Sequence, residues 1–192
     1  DLGTSDSLAA GFNKALLNQP FLAGDVSPVN VIMFRSKTCS EVVPAGDDCT
    51  DSANDDCASK YDCWEFGSSV IGLTTTTYSF QTGQIFEADM ELNEASFIFT
   101  TQDPPAPTCS PPPAPQVACV GIDLQNTVTH EAGHMLGLGH SADTSATMFA
   151  SAGLGEVGKR SLAQDDIDGL CGIYPTGSDP VQCNAPAKTG CS

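Results

Sequence analysis

HEAGHMLGLGH, residues 130–140, holds all three histidines of a 192-residue chain. On a helix, residues four apart share a face, so His130 and His134 stack one turn apart with both imidazoles pointing the same way. Two neutral imidazoles so placed can share one ion, and zinc in hydrolytic sites takes three protein ligands and leaves its fourth position open. His140 completes the set if the chain turns sharply after the helix. Gly137, followed by Gly139, permits the positive φ that such a turn needs. Glu131 adjoins the first ligand without being needed as one, and its expected role is general base toward a water. Any one of these residues alone reads more plainly as core or chance. The coincidence of His130, Glu131, His134, Gly137 and His140 within one short stretch is what points to a catalytic metal. A structural zinc would need a fourth ligand, which only a cysteine is left to supply.

Working outward, GIDLQNTVTHEAGHMLGLG (121–139) reads as a helix. Leu124, Val128, Ala132 and Met135 form its apolar stripe, and Gly137 ends it in a left-handed turn. A last helix fits SLAQDDIDGLCGIY (161–174), with Ser161 as cap and Asp165 near the positive end of the dipole. Upstream, Leu8, Phe12, Ala15 and Leu16 predict a first helix at about 6–18, stopped by Pro20. VNVIMFR (29–35) and SSVIGLTTTTYSF (68–80) carry strand signals, and SFIFTT (96–101) is a short third candidate. In QIFEADMELN (84–93), Phe86, Ala88, Met90 and Leu92 alternate with Glu87, Asp89, Glu91 and Asn93, the period of a strand with one buried face. Helix, strands, helix, helix without regular alternation predicts an α+β domain.

Two stretches interrupt this pattern. Residues 39–65 are rich in Asp, Ser and Cys with no apolar period, and read as a surface insertion stapled by its own cysteines. The proline tract beginning at Asp103 and closed by Cys119 can be neither helix nor ladder strand, and reads as a stiff loop over 103–119. The tail, 175–192, has too few apolar residues for a core.

Composition limits the function classes. With 24 acidic against 7 basic side chains, the formal charge of −17 opposes nucleic acid and anionic membranes as partners. No segment approaches the roughly 18 consecutive apolar residues of a membrane span, and the N-terminus lacks the features of a secretory signal, which predicts a chain already processed. Nine cysteines without a single Cys-x-x-Cys indicate an oxidising compartment and four disulfides, with one thiol left over. Cys109 with Cys119, and Cys183 with Cys191, are close enough to form local loops.

The pattern His-Glu-x-x-His-x-x-Gly-x-x-His resembles the extended signature of the metzincin zinc peptidases. Met148, in SATMFA, stands where that family has its methionine turn. Ser141, directly after the third histidine, and LAQDDIDGLCGIYP (162–175) resemble the matrixins, the matrix-metalloproteinase group. The resemblance implies one metzincin-type α+β catalytic domain over 1–192, with a twisted mixed sheet, an N-terminal helix, an active-site helix and a C-terminal helix. It implies a secreted zinc endopeptidase acting on polypeptides, with one catalytic zinc on His130, His134 and His140 and with Glu131 as base. Structural calcium is also implied, although the sequence does not place its ligands; GDDCTDSANDDC lacks the EF-hand pattern. In matrixins an edge strand holds the substrate extended. QIFEADMELN looks like that segment, which makes Phe86, Glu87, Ala88, Asp89 and, in the pocket wall, Phe149 the expected substrate contacts.

Departures from the pattern are informative. Ala150 stands where astacins and serralysins place a metal-binding tyrosine. Animal matrixins usually have Tyr and Pro where this chain has Phe149 and Ala150. The two inserts have no counterpart recognised in the animal enzymes and suggest a bacterial, secreted relative. A metal-dependent binding module without turnover is the alternative, and the retained Glu131 argues against it. A zinc hydrolase acting on other bonds is a third class, made less apt by a peptide-binding edge strand.

Overall fold

The computed structural model describes residues 30–47, 49, 57–110 and 118–175. The helix expected at 6–18, the Cys183–Cys191 loop, most of the 175–192 tail and the centre of the acidic stretch lie outside them. The described residues have the α+β composition expected. Strands β1 (Ile32–Arg35), β2 (Gly72–Tyr78) and β3 (Ile85–Asn93) form a sheet in the order β1-β3-β2, and β4 (Phe99–Thr100) pairs in parallel with β5 (Ile122–Asp123). Helices α1 (Cys39–Val42), α2 (Cys57–Tyr61), α3 (Leu124–Met135) and α4 (Gln164–Ile173) complete the set, with a 3-10 turn at Gly158–Arg160. None of the described helices is long and apolar enough to cross a membrane.

By contacts the chain divides into two compact units, Asp1–Leu73 with Asp89–Phe97, and Thr74–Ala88 with Ile98–Ser192. In the first, β1 runs parallel to the end of β3, with Ile32 opposite Met90 and Arg35 opposite Asn93. Burial is deepest at the end of the pair, at Arg35 in β1 and at Leu92 and Asn93 in β3. Arg35 is 2% exposed and is held by Glu91 at 2.8 Å and Asp62 at 2.6 Å. The Cys-rich segment belongs to this unit, and it is more than a wet loop. Disulfides Cys39–Cys63 and Cys49–Cys57 form a small core with Val42, Val43 and Tyr61 around it, and Trp64 is buried beside Cys63. Glu41 caps α1 by accepting the Thr38 N–H at 2.8 Å. The carboxylate of Asp47 is taken up by Lys60 at 2.7 Å and by the Tyr61 hydroxyl.

One expectation is corrected by the sheet order. β3 is the middle strand of three, so Phe86, Glu87, Ala88 and Asp89 do not lie on an edge. Alternation reports a half-buried face, and it does not report which strand is outermost. Ala88 is buried, and Asp89 accepts the Val31 N–H at 3.0 Å. Among the described residues the outer strands are β1 and, on the other side of β3, β2. β2 joins β3 through the turn Ser79–Gln84, and at the far end of the hairpin the Asn93 N–H meets the Ile71 carbonyl at 2.9 Å.

In the second unit, β5 leads directly into α3. Asp123, 2% exposed, is the N-cap and accepts the Asn126 N–H at 2.7 Å. It also receives Arg160 through Nε at 2.9 Å and Nη2 at 2.5 Å, while Nη1 of the same guanidinium reaches Asp103 at 2.5 Å. The start of the proline tract is thereby tied to the start of the helix. Cys109–Cys119 is bonded as expected and closes that tract, and Cys171 is disulfide-bonded as well. The buried face of α3 is not the apolar stripe. Leu124, Val128, Ala132 and Met135 are only half-buried, whereas Asn126, Thr127, Glu131 and Gly133 are buried. Burial of the polar three is affordable because each is hydrogen-bonded: Asn126 Oδ1 accepts the Lys159 N–H at 2.7 Å, the Thr127 hydroxyl donates to the Asp123 carbonyl at 3.0 Å, and Glu131 is held by Thr74.

Candidate active site

The helix α3 ends at Met135, and Gly137, at φ +91°, turns the chain back as expected from its sequence position. The turn delivers His140 opposite the two helical histidines. Their ligand nitrogens lie within 4.8 Å of one another. His130 donates through Nδ1 to the Thr147 carbonyl at 2.7 Å, and His134 donates through Nδ1 to the Leu138 carbonyl at 2.8 Å. A carbonyl can only accept, so in the neutral rings Nδ1 carries the proton and Nε2 the lone pair. Nε2 of His134 nonetheless sits 3.2 Å from Nε2 of His140. Two such nitrogens at the vertices of a tetrahedron around zinc, each about 2.05 Å from the ion, would be about 3.3 Å apart. The donor set therefore fits the metal. Burial, the main cause, lowers the His130 pKa to about 4, aided by its charged neighbours and opposed by the Thr147 carbonyl. At neutral pH it is uncharged, the form in which an imidazole can take up a metal.

Glu131 is 4% exposed. Its Oε2 accepts the Thr74 hydroxyl at 2.8 Å, and Oε1 has no partner among the described residues. Burial raises its pKa above the ordinary carboxylate value, against the lowering effects of Thr74 and His134. A carboxylate shifted upward is a better proton acceptor near neutrality than an exposed one.

Below the histidines lies a turn built on Met148, 2% exposed. A Cβ placed on Gly133 would come within 2.2 Å of the Met148 Sδ, so the thioether packs directly on the helix backbone between the two ligand positions. Gly133→Ala is expected to displace that sulfur and cost about 1–3 kcal/mol of stability, measured by urea unfolding. An unchanged midpoint would show that the turn yields freely.

The turn itself is held from α4. Asp166, 2% exposed, accepts the amides of Thr147 at 2.8 Å, Met148 at 3.0 Å and Ala163 at 2.8 Å. This corrects the expected helix cap. Ala163 stands at the N-cap, and the side chain of Asp166 supplies the acceptor that Ser161 was expected to provide. Because Thr147 offers its carbonyl to His130, Asp166 indirectly orients the His130 imidazole. Burial alone would raise the Asp166 pKa, but the three amides outweigh it and hold it below 3.8. The folded pKa being depressed, its contribution to stability is full above the unfolded value and is lost as pH falls through the folded one. Asp166→Asn, which replaces one acceptor oxygen by a donor, is expected to cost about 2–3 kcal/mol and to flatten the acid limb of a stability profile below about pH 4, the unfolded value. A variant with the wild-type acid limb would remove Asp166 from this role.

Phe149 is half-buried, bridges to Ser141, and offers its carbonyl to the Lys159 ammonium, which lies 5.3 Å from the centre of its ring. Thr74, Gly133, Asp166 and Arg160 were not singled out for the site by sequence. Thr74 stands in a run of four threonines where nothing distinguishes it.

Comparison with known proteins bears directly on this arrangement. The Matrixin family model matches residues 61–175, which include every residue of the site. The chain belongs to the matrixin family. Among relatives of this matrixin, human neutrophil collagenase is 47% identical over 58 residues, 30% of this chain and 12% of the relative. Human matrilysin is 44% identical over 55 residues, 29% and 21% respectively. Metalloendoproteinase 1 of Glycine max is 50% identical over 53 residues, 28% and 17%. This matrixin thus matches only about an eighth to a fifth of those relatives' length. No solved structure matches the chain. Membership implies a catalytic zinc, and His130, His134 and His140 are the described group that can hold a metal.

Proposed function

We propose that this matrixin is a secreted zinc endopeptidase acting on polypeptides, with residues 1–192 as one catalytic domain. The observation that carries the proposal is the convergence of three imidazoles, two with their tautomers set by backbone carbonyls, around a site flanked by a buried carboxylate that is not a ligand. His130, His134 and His140 would hold the zinc. When bound, zinc supplies Lewis-acid activation of water and stabilises negative charge developing on a carbonyl.

The chain's own residues do the remainder. Glu131 takes the proton of the attacking water through Oε1, while Oε2 stays bonded to Thr74, and then returns that proton to the leaving amine. Thr147 and Leu138 keep the ligand tautomers. β2, one of the two outer strands among the described residues and the one that contacts Glu131 through Thr74, would offer its outer backbone edge to an extended peptide, which gives binding without side-chain selection. Phe149 forms part of the pocket wall that selects among side chains. Three disulfides and a further disulfide-bonded cysteine, Cys171, support an extracellular location. Incubating an unstructured polypeptide with the wild-type protein and with Glu131→Ala tests the proposal. Cleavage by the first and none by the second is expected, and intact substrate in both would overturn it.

A further inference from the structure

We infer that Thr74 is a positioning residue for the general base, an inference that rests on the assignment of Glu131 above. Thr74 lies on β2, far in sequence from α3, and it is the described residue that hydrogen-bonds the Glu131 carboxylate. Its Oγ1 is 2.8 Å from Glu131 Oε2 and 3.2 Å from the carbonyl of the same residue. A hydroxyl has one hydrogen to donate, and the shorter contact to an ionised acceptor takes it. The bond occupies one carboxylate oxygen and leaves Oε1 to face the reacting water.

The geometry divides the labour within the carboxylate. Without the hydroxyl, a side chain that is 4% exposed would lose its one donor among the described residues and could rotate about its last torsion, which is broad for a carboxylate. The two oxygens would then exchange places. Thr74 therefore acts on the orientation of the base, through Glu131 and without touching the substrate's reacting atoms. It also places the support of the base on the strand proposed to hold the peptide. Seating of a substrate on β2 and alignment of Glu131 are set by one element.

Three variants test this with a peptide substrate and zinc-loaded protein. Thr74→Val, which keeps the shape and removes the donor, should lower kcat about tenfold with KM within twofold of wild type. Thr74→Ser, which restores the donor, should recover most of that loss. Glu131→Gln reports separately on the underlying assignment. If it is fully active, that assignment fails; if it is inactive and Thr74→Val keeps its kcat, only the role of Thr74 fails. A rise in KM at unchanged kcat, or no recovery with Ser, would make Thr74 a part of the strand and no more. A second readout needs no turnover. In metal-free protein, Thr74→Val should lower the urea midpoint more when Glu131 is present than in a Glu131→Leu background. Equal shifts would mean that the hydroxyl serves the backbone carbonyl of residue 131, and would overturn the inference.

Discussion

Glu131→Gln is expected to lower kcat/KM for a peptide by about three orders of magnitude while leaving one zinc per chain. The size follows from the general-base role proposed for Glu131, since such a base contributes roughly 10²–10⁴ in rate. Retention of the metal follows from the structure, because none of the contacts that orient the histidines passes through the Glu131 side chain: Thr147 holds His130 and Leu138 holds His134. The amide of Gln is nearly isosteric and can still accept from the Thr74 hydroxyl, so the fold around it is kept. Metal analysis and a peptide assay on one preparation decide the matter. Full activity would show that another group accepts the proton, and loss of zinc would show that Glu131 helps to hold it.

Chelation is expected to abolish activity, and one equivalent of zinc to restore it. All three histidines of the chain are committed to one cluster. Six of the cysteines are paired with one another and a seventh is bonded, so few thiolates remain as soft ligands. A structural zinc of the kind that animal matrixins hold with histidines has no such donors here, and we propose that the disulfides do its work of pinning loops. Titration of the metal-free protein should therefore reach full activity at a ratio of one. A requirement for two tightly bound zincs would reveal a second site and set aside that exchange of zinc for disulfides.

Much of this site is local in sequence, which is why it could be read there. His130, Glu131 and His134 are fixed by helical spacing, and Gly137 by the φ it alone tolerates. The strand Ile85–Asn93 was visible for the same reason, since alternation is a property of one strand. Its place in the sheet was not visible, because order depends on which strands meet, and so the edge passed from Phe86–Asp89 to β1 and β2. The buried face of α3 escaped an apolar-stripe argument because Asn126, Thr127 and Glu131 are buried by virtue of partners remote in the chain. The cap of α4 escaped for a similar reason. Asp166 serves its own helix and the Met148 turn at once, whereas a cap read from sequence considers only the helix that follows it.

The two disulfides of the Cys-rich segment are nested, with Cys49–Cys57 inside Cys39–Cys63. Nesting favours an order of assembly. Closing the inner bond first removes its 8 residues from the 24 that separate Cys39 from Cys63, which lowers the entropic cost of the outer closure by about a few tenths of a kcal/mol. The gain in equilibrium is small, but an early inner bond also withdraws two thiols from competing pairings, of which four cysteines allow about three. A chain that emerges N-terminus first presents Cys39 first and Cys63 last, so the outer bond must wait for the whole segment in any case. The arrangement suits vectorial maturation, in which the bond that is last to become possible is also the one that seals the segment.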